Sequence, residues 1–131
     1  MQDNFSQIMT ISAAGMRAQG QRLKVASENL ANVDSPGYRR KLVYFREALD
    51  GNDDTSSVRV DRIGRDTAPL TRSYDPSNPL ADRDGYVTTS NVNPLIEMMD
   101  MKEADRSYSA GLRAFDQARD MFMRTLDLLR R

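Results

Sequence analysis

Residues 93–131 read NPLIEMMDMKEADRSYSAGLRAFDQARDMFMRTLDLLRR, and this stretch decides the fold. Asn93 suits an N-cap, because its short side chain accepts from an orphan amide of the first turn. Pro94 suits the first helical turn, where its missing N–H costs nothing. Beyond it there is no further proline and a single glycine, Gly111. Positions Met98, Met101, Asp105, Tyr108, Leu112, Phe115, Arg119, Phe122, Leu126 and Leu129 alternate steps of three and four. A period of about 3.5 residues keeps one stripe turned toward a partner helix over many turns. Asp105 and Arg119 are its charged members, and a charge at such a position sets register or partner choice. Each is therefore expected to meet a polar partner on another helix, within the chain or across subunits.

The segment predicts a helix about 57 Å long, whereas a compact domain of this size has a radius of gyration of only about 14 Å. The helix is too long to tuck inside a globule. A second heptad helix is predicted at the other end, over residues 5–33. Its stripe is Phe5, Met9, Ser12, Met16, Gln19, Leu23, Ala26, Leu30 and Val33, in which Met9, Met16, Leu23 and Leu30 recur every seven residues. Gly15 and Gly20 weaken it by about 1 kcal/mol each relative to alanine. The two helices either close on each other as a long hairpin or bury their stripes against other chains.

Between them the pattern breaks up. Val33-Asp34-Ser35-Pro36-Gly37-Tyr38 ends the first helix, and Pro36-Gly37 is a type II turn pair that asks for φ > 0 at Gly37. Leu42 to Phe45, after the basic Arg39-Arg40-Lys41, reads as a short strand or a packing patch. Residues 50–57 read as a polar loop, and 58–63 and 86–89 as strands. The expected architecture is mainly α. Long terminal heptad helices form a coiled-coil-like pair with a small β/loop insert between them, divided as 1–37, 38–92 and 93–131.

Composition removes most chemistry. The 131 residues contain no cysteine and no histidine, so disulfides, thiolate nucleophiles, the usual general base and the commonest metal ligands are absent. Nineteen basic residues balance nineteen acidic ones, which argues against nucleic-acid binding and against a polybasic membrane surface. All but three of the basic residues (Lys24, Lys41 and Lys102) are arginine, a side chain favoured at interfaces. The start MQDNFSQIMT lacks the basic and apolar regions of a cleaved signal peptide. Asp82 and Asp84 before Gly85 hint at a calcium loop, but Leu80 and Asn91 fall where ligands belong, and a capped turn is the better reading. Neither Asp53 with Asp54 nor Asp82 with Asp84 lies in a segment that supplies the pocket a hydrolase needs. Met98, Met99 and Met101 form an adaptable apolar cluster. No phosphate-binding glycine loop is present, and no cofactor or small-molecule substrate is expected.

Residues 28–38, ENLANVDSPGY, resemble the ANxxTPGY signature of the bacterial flagellar axial proteins that build rod and hook, carried here by Ala31, Asn32, Ser35, Pro36, Gly37 and Tyr38. Ser35 stands where threonine is more usual. A second run, YDPSNPLAD at 74–82, then DGYV at 84–87 and NVN at 91–93, is similar to the YDPxHPxADxxGYVxxPNVN run of the proximal rod group. Glu97-Met98 and Arg106-Ser107-Tyr108 are similar too. Asn78 replaces a histidine, Ser90 a proline, and Ser109-Ala110-Gly111 a more usual Glu-Ala-Asn.

The resemblance implies a non-enzymatic structural subunit of the proximal rod, polymerising into the torque-transmitting drive shaft. It implies self-association and contact with the rod proteins FlgB, FlgF and FlgG, with FliE and with membrane-ring components. It also implies a periplasm-spanning basal-body location, reached by type III export without a cleaved signal peptide. The terminal helices would form the inner rod core, with Met9, Met16, Leu23, Leu30, Met98, Met101, Tyr108, Leu112, Phe115, Phe122, Leu126 and Leu129 as packing residues. A different rod protein, a coiled-coil adaptor unrelated to flagella and a carboxylate-only hydrolase are the rival readings.

Overall fold

In the computed structural model, residues 2–49 and 56–130 are described. Helix α1 spans Gln2–Ala31, the strands are β1 (Lys41–Leu49), β2 (Ser56–Arg65), β3 (Arg72–Tyr74) and β4 (Tyr86–Thr88), and helix α2 spans Pro94–Leu129. The molecule is thus two terminal helices with a small two-sheet insert between them. The polar loop expected at 50–57 lies outside the described residues over 50–55, together with Asp53 and Asp54, and its last two residues begin β2.

Helix α2 starts as its sequence directs: the Leu95 amide donates to the Asn93 side chain at 3.0 Å, and Pro94 follows in the first turn. It runs antiparallel to α1. Asn29 meets Glu97, Arg22 reaches Asp100 and Glu103, and Gly111 lies over Ser12 and Met16. The seam is built from small side chains. Ala18, Ala26, Ala104 and Ala118 are buried, and no leucine, phenylalanine or methionine is fully enclosed among the described residues. A Cβ on Gly111 would sit 3.0 Å from the Met16 Cγ, so the helices touch there nearly backbone to side chain.

This corrects the α2 stripe. The face toward α1 passes through Glu97, Ala104, Gly111 and Ala118, one residue before Met98, Asp105, Leu112 and Arg119, and alternates with the expected Met101, Phe115 and Phe122. The physical reason is close approach: alanine and glycine let the axes come together, and turning the helix this way leaves Asp105 and Arg119 in water rather than desolvated. Within the chain neither charge meets a partner among the described residues.

The insert forms two antiparallel sheets, β1 with β2 and β3 with β4. The first hairpin lies on α1, where Ala14, Ala18 and Gln21 face Val58 and Val60, while among the described elements α2 packs on α1 alone. Its register shifts between Tyr44 and Phe45, which pair with Arg62 and Val60 and leave Asp61 as a bulge. Tyr44 lies across Gly64, where any Cβ would be 2.9 Å from the ring, and the Arg62 guanidinium covers it at 4.5 Å. The second hairpin closes through Tyr74 and Tyr86, packed edge to face at 5.4 Å. Strand β3 was not expected from the sequence; β1, β2 and β4 extend or match the three strand-like segments.

Candidate functional site

A dense polar network among the described residues grows from the segment after α1. Asn32 caps the helix end, its amide reaching the Glu28 and Asn29 carbonyls at 3.1 Å and its side chain the Glu28 carbonyl at 2.8 Å. Ser35 donates to the Asn32 side chain at 3.0 Å. The Tyr38 amide returns to the Ser35 carbonyl at 3.2 Å and Gly37 takes φ 71°, the type II geometry that Pro36-Gly37 asks for. The Gly37 amide then donates to the Thr89 carbonyl, and the Ser90 hydroxyl to the Val33 carbonyl. Both ends of the insert are tied together at this one place.

Asn29 sits at the centre, 1 % exposed. Its Nδ2 donates to the Lys41 carbonyl at 3.0 Å and to the Glu97 carboxylate at 3.2 Å. Its Oδ1 accepts from the Lys41 amide and the Tyr38 hydroxyl, each at 2.9 Å. All four of its hydrogen-bonding positions are used. Glu97 is as deeply buried, and its second carboxylate oxygen accepts from the Arg40 guanidinium. That guanidinium also reaches Asp100 at 3.2 Å and Asp66 at 3.8 Å. Asn91 holds the Arg40 amide and the carbonyls of Asp66 and Ala68. Beside the cluster, the Lys41 ammonium at 2.8 Å from Glu28 holds that carboxyl below its usual range.

A cleft of about 380 Å³ opens over this cluster, walled by Val25, Leu42, Val43 and Phe45 and floored by Arg40, Asn29 and Glu97. Its polar groups are already paired with each other. The buried carboxylate is held by an arginine and an amide, which suits a fixed ion pair and leaves no atom placed to move a proton. At the far end of the insert, Asp82 accepts from the Asp84 and Tyr86 amides at 3.0 and 2.9 Å and from Arg72. These bonds, the Tyr86 amide foremost, hold its carboxyl below the usual range. It is a capped turn.

The residues singled out from sequence fall into two groups. Of the signature, Asn32, Ser35 and Tyr38 are half-buried in the turn, while Ala31, Pro36 and Gly37 face outward. Of the packing residues, Met9, Met16, Leu23, Leu30, Met101, Phe115, Phe122 and Leu126 are half-buried, while Met98, Tyr108, Leu112 and Leu129 are exposed. The central partners Asn29, Arg40, Asn91 and Glu97 were not assigned a role in advance. The available signal was a lone acid, Glu97, between apolar neighbours at the start of a helix. No helix among the described residues is long and apolar enough to cross a membrane.

Two family descriptions match the chain: "Flagella basal body rod protein" over residues 9–39 and "Flagellar basal body rod FlgEFG protein C-terminal" over residues 83–128. They fall on the two terminal helices and the turns beside them. The flagellar basal-body rod protein FlgC of Agrobacterium fabrum is 44 % identical, the match covering 98 % of this chain and 97 % of the relative. FlgC of Aquifex aeolicus is 40 % identical over 97 % of this chain and 98 % of its own, and that of Salmonella typhimurium 37 % identical over 92 % and 95 %. With relatives this similar along the whole length, and a polar cluster that ties elements together without offering chemistry, the chain belongs to the FlgC family of flagellar basal-body rod proteins, a structural and non-enzymatic family.

Proposed function

We propose that this chain builds the membrane-proximal part of the flagellar rod, with α1 and α2 acting as a coiled-coil-like pair in the inner wall. Residues 1–37 and 93–131 form that core, and residues 38–92 pack outside it. FlgB, FlgF, FlgG, FliE and membrane-ring components are its partners, and type III export brings it there. The rod transmits torque, so the subunit works by packing.

One observation carries this reading: α2 has two apolar flanks that none of the described residues covers. At about 100° per residue, Met98, Leu112 and Met123 lie on one side of the helix, and Met99, Met121 and Leu128 on the other, all exposed. Exposed apolar side chains recurring on two sides of one helix mark interaction surfaces. A helix with one seam and two further apolar flanks suits a wall in which it touches a neighbour on each side.

Leu112→Asp and Met121→Asp, one on each flank, are expected to abolish motility and recovery in basal bodies while the purified chain keeps its helix content. Normal basal bodies from both variants would overturn the reading.

A further inference from the structure

The insert rests on one helix. Its first hairpin lies on α1, and among the described elements no strand packs on α2. A body fixed along one cylinder can still roll about that cylinder's axis, and a second attachment off the axis removes the motion. The chain itself enters α2 through Val92 and Asn93, but a backbone link of this kind turns at its two soft dihedral angles per residue.

Arg40 supplies the second attachment. It follows the Pro36-Gly37 turn, just ahead of β1, and is half-buried. Its backbone belongs firmly to the insert: the amide donates to the Asn91 side chain at 2.6 Å, and the carbonyl accepts from the Asp66 amide at 2.8 Å. Its side chain crosses to α2, where the guanidinium pairs with the buried Glu97 and with Asp100 at 3.2 Å. These two carboxylates lie about one helical turn apart. The remaining nitrogen faces Asp66 of the insert at 3.8 Å. We propose that Arg40 is the positioning residue that sets the angle of the insert on the helix pair, so that load taken up by the insert reaches both helices together. This rests on the reading of the helices as rod core with the insert outside it.

The role needs arginine. Three nitrogens in a fixed planar fork engage carboxylates on two elements and define an orientation, whereas a lysine ammonium is a point charge. Asp100 also accepts from Arg22 of α1 at 3.2 Å, so one carboxylate joins the insert to both helices. The tie to α1 is separate. Lys41 pairs with Glu28, and Asn29 holds the Lys41 backbone on both sides. Loss of Arg40 therefore leaves the insert attached to α1 and free to roll.

The chain has no cysteine, so spin labels can be placed through Glu47→Cys on β1 and Arg106→Cys on α2, both exposed. Pulsed electron-spin distance measurement on the purified chain is expected to give one narrow distribution. Arg40→Gln should broaden it about twofold or more, as hinge freedom is released, and Arg40→Lys should fall between the two. Helix content by circular dichroism should stay unchanged in both. Gly85→Ala, which weakens the second hairpin instead, should leave the distribution narrow, and this separates positioning from stability. In the source bacterium, swimming of Arg40→Gln should fall away as the medium is made viscous, while Gly85→Ala follows the parent. A narrow distribution in Arg40→Gln would overturn the proposal, and so would unimpaired swimming under load by a variant whose distribution is broad. Should Arg40→Gln lose helix content, Asp100→Asn removes one anchor and keeps Glu97; broadening there supports the proposal and a narrow distribution overturns it. Normal basal bodies from Leu112→Asp and Met121→Asp, beside a broadened Arg40→Gln, would sink the placement of the helices alone.

Discussion

Two glycines with φ > 0 differ in what surrounds them, and that difference is measurable. At Gly37, φ is 71° and a Cβ would meet nothing within 4 Å. Gly37→Val or Gly37→Ala therefore costs backbone strain alone, about 1–2 kcal/mol, and Gly37→Asn costs less. At Gly85, φ is 86° and a Cβ would lie 2.9 Å from the Tyr74 ring and 3.2 Å from Pro76. Gly85→Ala should lower the denaturation midpoint more than Gly37→Ala, and equal midpoints would contradict this account. Glu97 poses the opposite problem, a buried charge. Removing it alone as Glu97→Met leaves Arg40 paired with Asp100 and Asp66 but strips a buried Asn29 donor of its acceptor, and should destabilise by about 1–3 kcal/mol. Asp82 supplies a pH signal. Its carboxyl is depressed, so its contribution is present above the ordinary aspartate value, about 4, and is lost as the pH falls through the lower folded value. The Asp84 and Tyr86 amide resonances should move together below about pH 4, and Asp82→Asn, which still accepts both bonds, should leave them in place at neutral pH.

Among the elements, the helices separate glycines that cost stability from one that makes room. A Cβ at Gly15 or Gly20 meets nothing within 4 Å, whereas at Gly111 it presses on Met16. Gly15→Ala and Gly20→Ala should each raise monomer stability by up to about 1 kcal/mol. Gly111→Leu should lower it and pry the helices apart, read by thermal unfolding. The end of α1 and the start of α2 were legible because caps and turns are local chemistry: Asn93-Pro94 and Pro36-Gly37 each act within four residues, whereas α1 begins at Gln2, three residues before the expected Phe5. The seam of α2 was misplaced by one position because the stripe was followed through Met98 and Leu112. Apolarity marks which side chains leave water, and it is blind to how closely two backbones approach, which here favours Ala104, Gly111 and Ala118. Strand β3 was illegible for another reason. Arg72, Ser73 and Tyr74 show no alternation and owe their extended state to pairing with Thr88, Val87 and Tyr86, a contact across a turn that no local pattern announces. The polar cluster was visible only as residues inside motifs, since its meaning depends on three segments meeting.

For the molecule as a whole, order is concentrated at one end. The cluster of Asn29, Arg40, Asn91 and Glu97 ties α1, both ends of the insert and α2, while toward residue 2 and residue 129 the helices hold each other by a seam of small side chains. Amide exchange in the purified monomer should be slowest around residues 25–41 and 88–104 and fastest over 4–12 and 118–129, with the fast segments becoming protected in assembled rods. Uniform protection along both helices of the monomer would refute this grading. The antiparallel pairing also sets the start of α1 and the end of α2 at the weakly tied end, and this has a mechanical consequence. A pull on either terminus peels the helices apart turn by turn, as a zipper opens, so each step breaks few contacts and the polar cluster yields last. A load spread along the flanks by neighbouring subunits acts instead in shear, straining every contact of the seam at once. The same subunit is therefore soft when drawn out by its ends and stiff when loaded along its length by the rod components around it.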